Sequence, residues 1–149
     1  MRNNGAVTGA RLWRSLGLLL WTIPYVDGAL NQLRKPTPRA ARGQAIGLPA
    51  TDQHVQLSGA IMLAATAALL IPRLRQPAAA WLALQTAGLT FIGHRFWEQT
   101  EEGPRDQQWL QFTKNLALIG TALYLAAGER PRGISLAAPR ARRSGSKTR

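Results

Sequence analysis

Residues 55–71 (VQLSGAIMLAATAALLI) and 78–93 (AAAWLALQTAGLTFIG) contain no Asp, Glu, Lys or Arg, and only a short basic turn through Arg73 and Arg75 separates them. No other feature restricts the fold of this chain as strongly. Pro72 ends the first run, because proline lacks the backbone N–H that a helix interior needs. The pair therefore reads as an antiparallel helical hairpin. Small residues dominate both halves: Ser58, Gly59, Ala64, Ala65, Ala67 and Ala68, then Ala78, Ala79, Ala80, Ala83, Ala87 and Gly88. Such residues let helix backbones approach closely, which suits lipid, where no hydrophobic force drives helices together. A buried helix of a soluble protein can look the same, since a span needs about 20 residues and these runs are at the short end.

Two more apolar segments flank the hairpin. Residues 12–33 follow Arg11 and are almost wholly apolar from Leu16 to Val26; Pro24 is expected to kink this helix and free the carbonyl near Leu20. A cleaved leader would share the positive start and apolar core. However, Asp27, Asn31 and Gln32 occupy the place of its small-residue cleavage site, so a retained helix is expected. Residues 109–127 form the fourth segment, carrying Lys114 and Asn115 behind its first turn. Between segments one and two, residues 34–52 read as a basic linker in which Pro36, Pro38 and Pro49 deny a long helix; Thr51 or Asp52 can cap the next helix. Residues 1–10 are expected to be disordered, 11–127 to form one domain, and 128–149 to be a disordered basic tail.

The averages hide this layout. A mean hydropathy of −0.13 with 46% hydrophobic residues looks soluble, but the charge sits outside the apolar segments. The net charge of +12 favours an anionic neighbour, either nucleic acid or anionic lipid. Because the cations lie in linker and tail and no helix offers a cationic face, lipid is the expected partner and nucleic acid is not. The absence of cysteine excludes disulfides, thiol catalysis and thiolate-held metal clusters. Two histidines are too few for a His-rich metal site, so no metal is expected.

An even number of spans places both termini on one side. The ends and the Arg73/Arg75 turn carry twelve of the nineteen Lys and Arg residues, so the positive-inside rule makes the expected fold an all-α integral membrane four-helix bundle with both termini cytoplasmic. That topology brings Asp27, Asn31, His94, Arg95, Trp97, Glu98, Lys114 and Asn115 to one depth near the outer face. Ionisable groups at such depth suggest function and need partners. Asp27 with Lys114 is the expected pair, and His94 with Glu98 would share a face if the third helix continued through Trp97. The same cluster could merely tie helix ends together, with Trp97, Trp109 and Phe112 as an interfacial aromatic belt. No phosphate loop, HExxH or Ser/His/Asp arrangement is present, so an accessory subunit is expected before an autonomous enzyme.

The residues at this point resemble a known family. Phe112-Thr-Lys114-Asn115-Leu-Ala-Leu-Ile-Gly120 is similar to the FxKNLALLGG signature of the DoxX family, and Gly93-His-Arg-Phe-Trp-Glu98 resembles the stretch preceding it. Asp27-Gly28 through Leu33-Arg34-Lys-Pro36 is similar to the family's end of helix 1, and Gly59 fits as well; Thr121 departs from the usual Gly-Gly. The resemblance covers roughly residues 11–127. It implies a four-helix protein of the bacterial plasma membrane tied to quinone-linked or oxidative-stress redox chemistry. Quinone is the cofactor it suggests; a partner oxidoreductase and a homo-oligomer are the assemblies. An oligomeric permeability element for anions or protons is the alternative. The family offers no catalytic set to carry over, so His94, Arg95, Trp97, Glu98, Lys114 and Asn115 transfer as motif positions only.

Overall fold

The computed structural model of the chain describes residues 4–128, which are helical and contain no strand. Five α-helices occur in order: α1 (Asn4–Arg34), α2 (Thr37–Ala45), α3 (Asp52–Ala68), α4 (Arg75–Gly93) and α5 (Glu102–Ala127), with a 3₁₀ turn at Phe96–Glu98 before α5. The expected hairpin is present as α3 and α4. Thr51 caps α3 as expected, its hydroxyl accepting from the His54 N–H at 3.3 Å. Between Ala68 and Arg75 the chain turns without a side-chain cap, and Arg75 Nε donates to the Leu69 carbonyl at 3.0 Å to satisfy one of the orphaned α3 acceptors.

Four long helices run antiparallel. α1 packs mainly on α3 and α4 mainly on α5, and the α3–α4 contact joins the two pairs. α1 starts and α5 finishes at one end; the α1–α2, α2–α3 and α4–α5 connections gather at the other. The α1–α3 crossing is tight at Gly59. A Cβ added there would come within 2.9 Å of the Ala29 carbonyl oxygen and 2.8 Å of Gln32 Cβ, so only glycine allows this approach. The core runs through Tyr25 and Ala29 of α1, Met62 of α3, Leu69, and Ala78, Ala79 and Leu82 of α4. Leu118, Leu125 and Ala126 of α5 pack against it.

Three expectations change. α1 begins at Asn4, so residues 4–10 are helical and not disordered; residues 1–3 lie outside the described residues. The fourth helix starts at Glu102 and not at Trp109, so the polar residues before Trp109 are part of α5. Residues 34–52 are not a bare linker, because Pro36 and Pro38 open a helix: proline is tolerated in a first turn, where its missing N–H has no partner to lose. The basic tail lies outside the described residues apart from Gly128. Among the described residues, no helix is long and apolar enough to cross a membrane.

Candidate functional site

The connecting end of the bundle encloses a cavity of about 360 Å³. Every α-helix contributes to its wall. α1 supplies Pro24, Tyr25, Gly28 and Gln32; α3 supplies His54, Val55, Ser58 and Met62. α4 supplies Thr86, Leu89, Ile92 and Gly93, with His94 just beyond its end, and α5 supplies Asn115 and Leu118. Arg39, Arg42 and Gly43 of α2 form the roof with Leu48 and Ala50. One wall is therefore apolar and the rim carries guanidinium, imidazole and amide groups.

The roof is held by local chemistry. Ala40 and Gly43 are the buried residues of α2, and a Cβ at Gly43 would lie 2.7 Å from Ala50 Cβ. Gly47, at φ +81°, takes a left-handed backbone that glycine adopts without strain and turns the chain back toward α3. The Gln44 amide donates to the Ala50 carbonyl at 2.6 Å, and the Thr37 hydroxyl donates to Asp52 at 2.8 Å. His54 Nδ1 donates to the Pro49 carbonyl at 2.9 Å, since a carbonyl can only accept, which leaves Nε2 as the other ring nitrogen.

The polar groups of the rim differ in how well they are satisfied. The Asn115 amide donates to the Thr90 hydroxyl at 3.0 Å, and that hydroxyl donates in turn to the Thr86 carbonyl at 2.6 Å. His94 Nδ1 lies 3.0 Å from Gln108 Oε1. The Gln85 amide ties α4 to α3 through the Ser58 hydroxyl at 2.9 Å and its carbonyl at 2.7 Å. Gln32 is an exception. It is 2% exposed, its amide nitrogen reaches only Met62 Sδ at 3.7 Å, and its Oε1 is buried with no partner. The Arg39 and Arg42 guanidinium groups make no hydrogen bond or ion pair within the described residues. Burial holds the Arg39 guanidinium below its ordinary pKa, neighbouring Arg42 adds to that, and Asp27 opposes it.

The structure separates the residues that the sequence grouped. Only His94 and Asn115 of the eight line the cavity. Asp27 is exposed and accepts from the Asn31 amide at 3.1 Å, one helical turn on. Lys114 is exposed and donates to Gln111 Oε1 at 3.4 Å. The expected Asp27–Lys114 ion pair does not form. α4 stops at Gly93, so His94 and Glu98 share no helix face; Glu98 pairs instead with Arg95 at 2.5 Å. Arg95 also lies over Trp97, 6.0 Å from the ring centroid. Trp97 joins an aromatic cluster centred on Phe112, whose ring lies 5.3 Å from Phe96, 5.8 Å from Phe91 and 6.2 Å from Trp109.

Five of the six expected motif positions fall into two places, His94 and Asn115 at the cavity and Arg95, Trp97 and Glu98 at the aromatic corner, while Lys114 is exposed apart from both. Arg39, Arg42, Gln32, Ser58, His54 and Thr86 were not singled out from sequence. The Pro-x-Pro opening of α2 was the usable signal, because it fits a helix first turn as well as a loop. Among the described residues no group of three or more His, Asp or Glu side chains could hold a metal ion. Compared with protein-family models, curated proteins and solved structures, the chain matches none.

Proposed function

We propose that this chain is a membrane-embedded, accessory helical bundle whose cavity beneath α2 holds a ligand. The observation that carries the embedding is an inverted surface. Twenty-two large apolar or aromatic side chains are exposed, among them Leu12, Leu19, Ile23, Leu57, Ile71, Leu84, Phe91, Leu116 and Leu123, spread over all four long helices. The interior is small and polar by comparison: six of the ten buried apolar residues are alanine, and Thr22, Gln32, Thr66, Thr86 and Thr90 are buried with them. Exposed apolar patches much beyond a few hundred Å² are rare on soluble monomers. Lipid is the solvent that accepts such a surface.

Helix length is consistent with this reading. At about 1.5 Å per residue, α3 and α4 extend to roughly 25–29 Å, near the thickness of a bilayer hydrocarbon core of about 30 Å. Their mean apolarity is moderated in part by Thr66, Thr86 and Thr90, which are buried. The positive-inside count favours cytoplasmic termini, and the DoxX resemblance favours the bacterial plasma membrane. The redox assignment, as a subunit or scaffold working beside a quinone-linked oxidoreductase, rests on the DoxX resemblance. Against the alternative of an anion or proton path stands the apolar packing below the cavity, where Leu69 and Leu82 are fully buried.

Membrane fractionation tests the embedding. The protein is expected in the pellet after an alkaline carbonate wash, and recovery in the high-salt supernatant overturns it. Gentle detergent purification tests the accessory role: a co-purifying oxidoreductase or quinone, identified by mass spectrometry, is expected. Their absence, with no redox phenotype on deletion, overturns that part.

A further inference from the structure

Three features of the cavity point to one ligand chemistry. The first is the roof. Arg39 and Arg42 are three residues apart on α2, both line the cavity, and neither guanidinium has a hydrogen-bond or ion-pair partner within the described residues. Two neighbouring cations repel, and Asp27 acts on Arg39 without forming an ion pair with it. A guanidinium pair in this state is complementary to a planar or tetrahedral oxyanion, which it can grip through two parallel N–H bonds.

The second feature is Gln32. An amide that is only 2% exposed would ordinarily have its oxygen hydrogen-bonded, because an unmet buried acceptor costs about 1–3 kcal/mol. Here Oε1 has no partner, and Gln32 lines the cavity. One polar atom of the amide is unmet: it wants a donor as the amide stands and an acceptor if the amide is turned over, since O and N are assigned by such contacts alone. A hydroxyl on the ligand can donate or accept, and so meets either case. The third feature is the wall of Met62, Leu89 and Leu118, which is apolar and suits a carbon chain continuing from a polar head.

We propose that the cavity beneath α2 binds a phosphate-type oxyanion carried on a hydroxylated headgroup, as in an anionic glycerophospholipid. Arg39 and Arg42 take the oxyanion, the Gln32 amide bonds the headgroup hydroxyl, and the apolar wall takes the chain. The assignment rests on the reading of this cavity as a ligand site and adds the ligand's class.

The test uses full-length protein, delipidated in mild detergent and followed by native mass spectrometry and thermal shift. The probes are phosphatidylglycerol, phosphatidic acid, phosphatidylcholine, a neutral quinone and inorganic phosphate. Phosphatidylglycerol is expected to bind at least about tenfold more tightly than phosphatidylcholine, and Arg39→Gln/Arg42→Gln to abolish that difference, in keeping with the worth of charge-assisted bonds. Gln32→Met should remove the preference for phosphatidylglycerol over phosphatidic acid, which lacks the headgroup hydroxyls, while leaving the ligand-free melting temperature within a few degrees of wild type. Saturable binding of inorganic phosphate alone, lost in the double arginine variant, supports the oxyanion and assigns it to a free anion. Equal binding of phosphatidylglycerol and phosphatidylcholine, or quinone binding indifferent to the arginines, overturns the proposal while preserving the ligand site. Failure of every probe to bind wild-type protein overturns the ligand-site reading itself.

Discussion

The α1–α3 seam is held by backbones in near contact, whereas the α4–α5 seam is held by rings and side-chain hydrogen bonds. At the first seam Gly59 lies against Ala29 and Gln32, and Gln56 Nε2 reaches the Leu33 carbonyl at 3.3 Å. At the second, Phe91, Phe96, Trp97, Trp109 and Phe112 pack edge to face, with Trp109 and Phe112 stacked at 12° between planes. Asn115 and Thr90 add a bond beside them. The two modes respond differently to change. A backbone-tight seam cannot absorb a methyl group, while a ring cluster loses contact area gradually.

Substitutions can break that contrast in graded steps, each read as a melting shift of detergent-purified protein. Gly59→Val should be the most damaging, destabilising by about 3 kcal/mol or more, because the new side chain meets the Ala29 carbonyl and not a flexible tip. A wild-type melting temperature would mean that the helices can part at little cost. Phe112→Ala should cost about 2 kcal/mol, less than a fully buried ring because Phe112 is only half-buried; no change would show the ring corner to be ornamental. Asn115→Leu should cost about 1 kcal/mol by removing the donor to Thr90. Asp27→Ala and Lys114→Ala should each fall within about 0.5 kcal/mol and add in the double variant. Non-additivity beyond that would restore the ion pair that the structure lacks.

Much of the fold was legible because helix signals are local. The charge-free runs, Pro72 and the Thr51 cap place α3 and its turn to α4, and small residues at Gly59 mark a close crossing. The site was less legible. Asp27 and Lys114 were matched by depth alone, and depth does not fix the rotation of a helix about its axis. In the structure each turns outward and bonds within its own helix. His94 was found because it is polar at the end of α4, and Asn115 because it is polar within an apolar run. Arg39 and Arg42 were passed over because a proline-rich basic stretch reads as a linker, and its helical fold becomes decisive only when Gly43 docks against Ala50.

Four long helices, their order and the turn between α3 and α4 were written in the chain. They rest on hydropathy, proline and capping, which act over a few residues. Which side chains of those helices face one another was settled by packing in three dimensions. Packing put the large apolar groups outside, alanine and threonine inside, and two arginines over a cavity that holds an unmatched Gln32 oxygen. Those relations depend on helix rotation and on long-range docking, and the helical period is the same whichever face is turned inward.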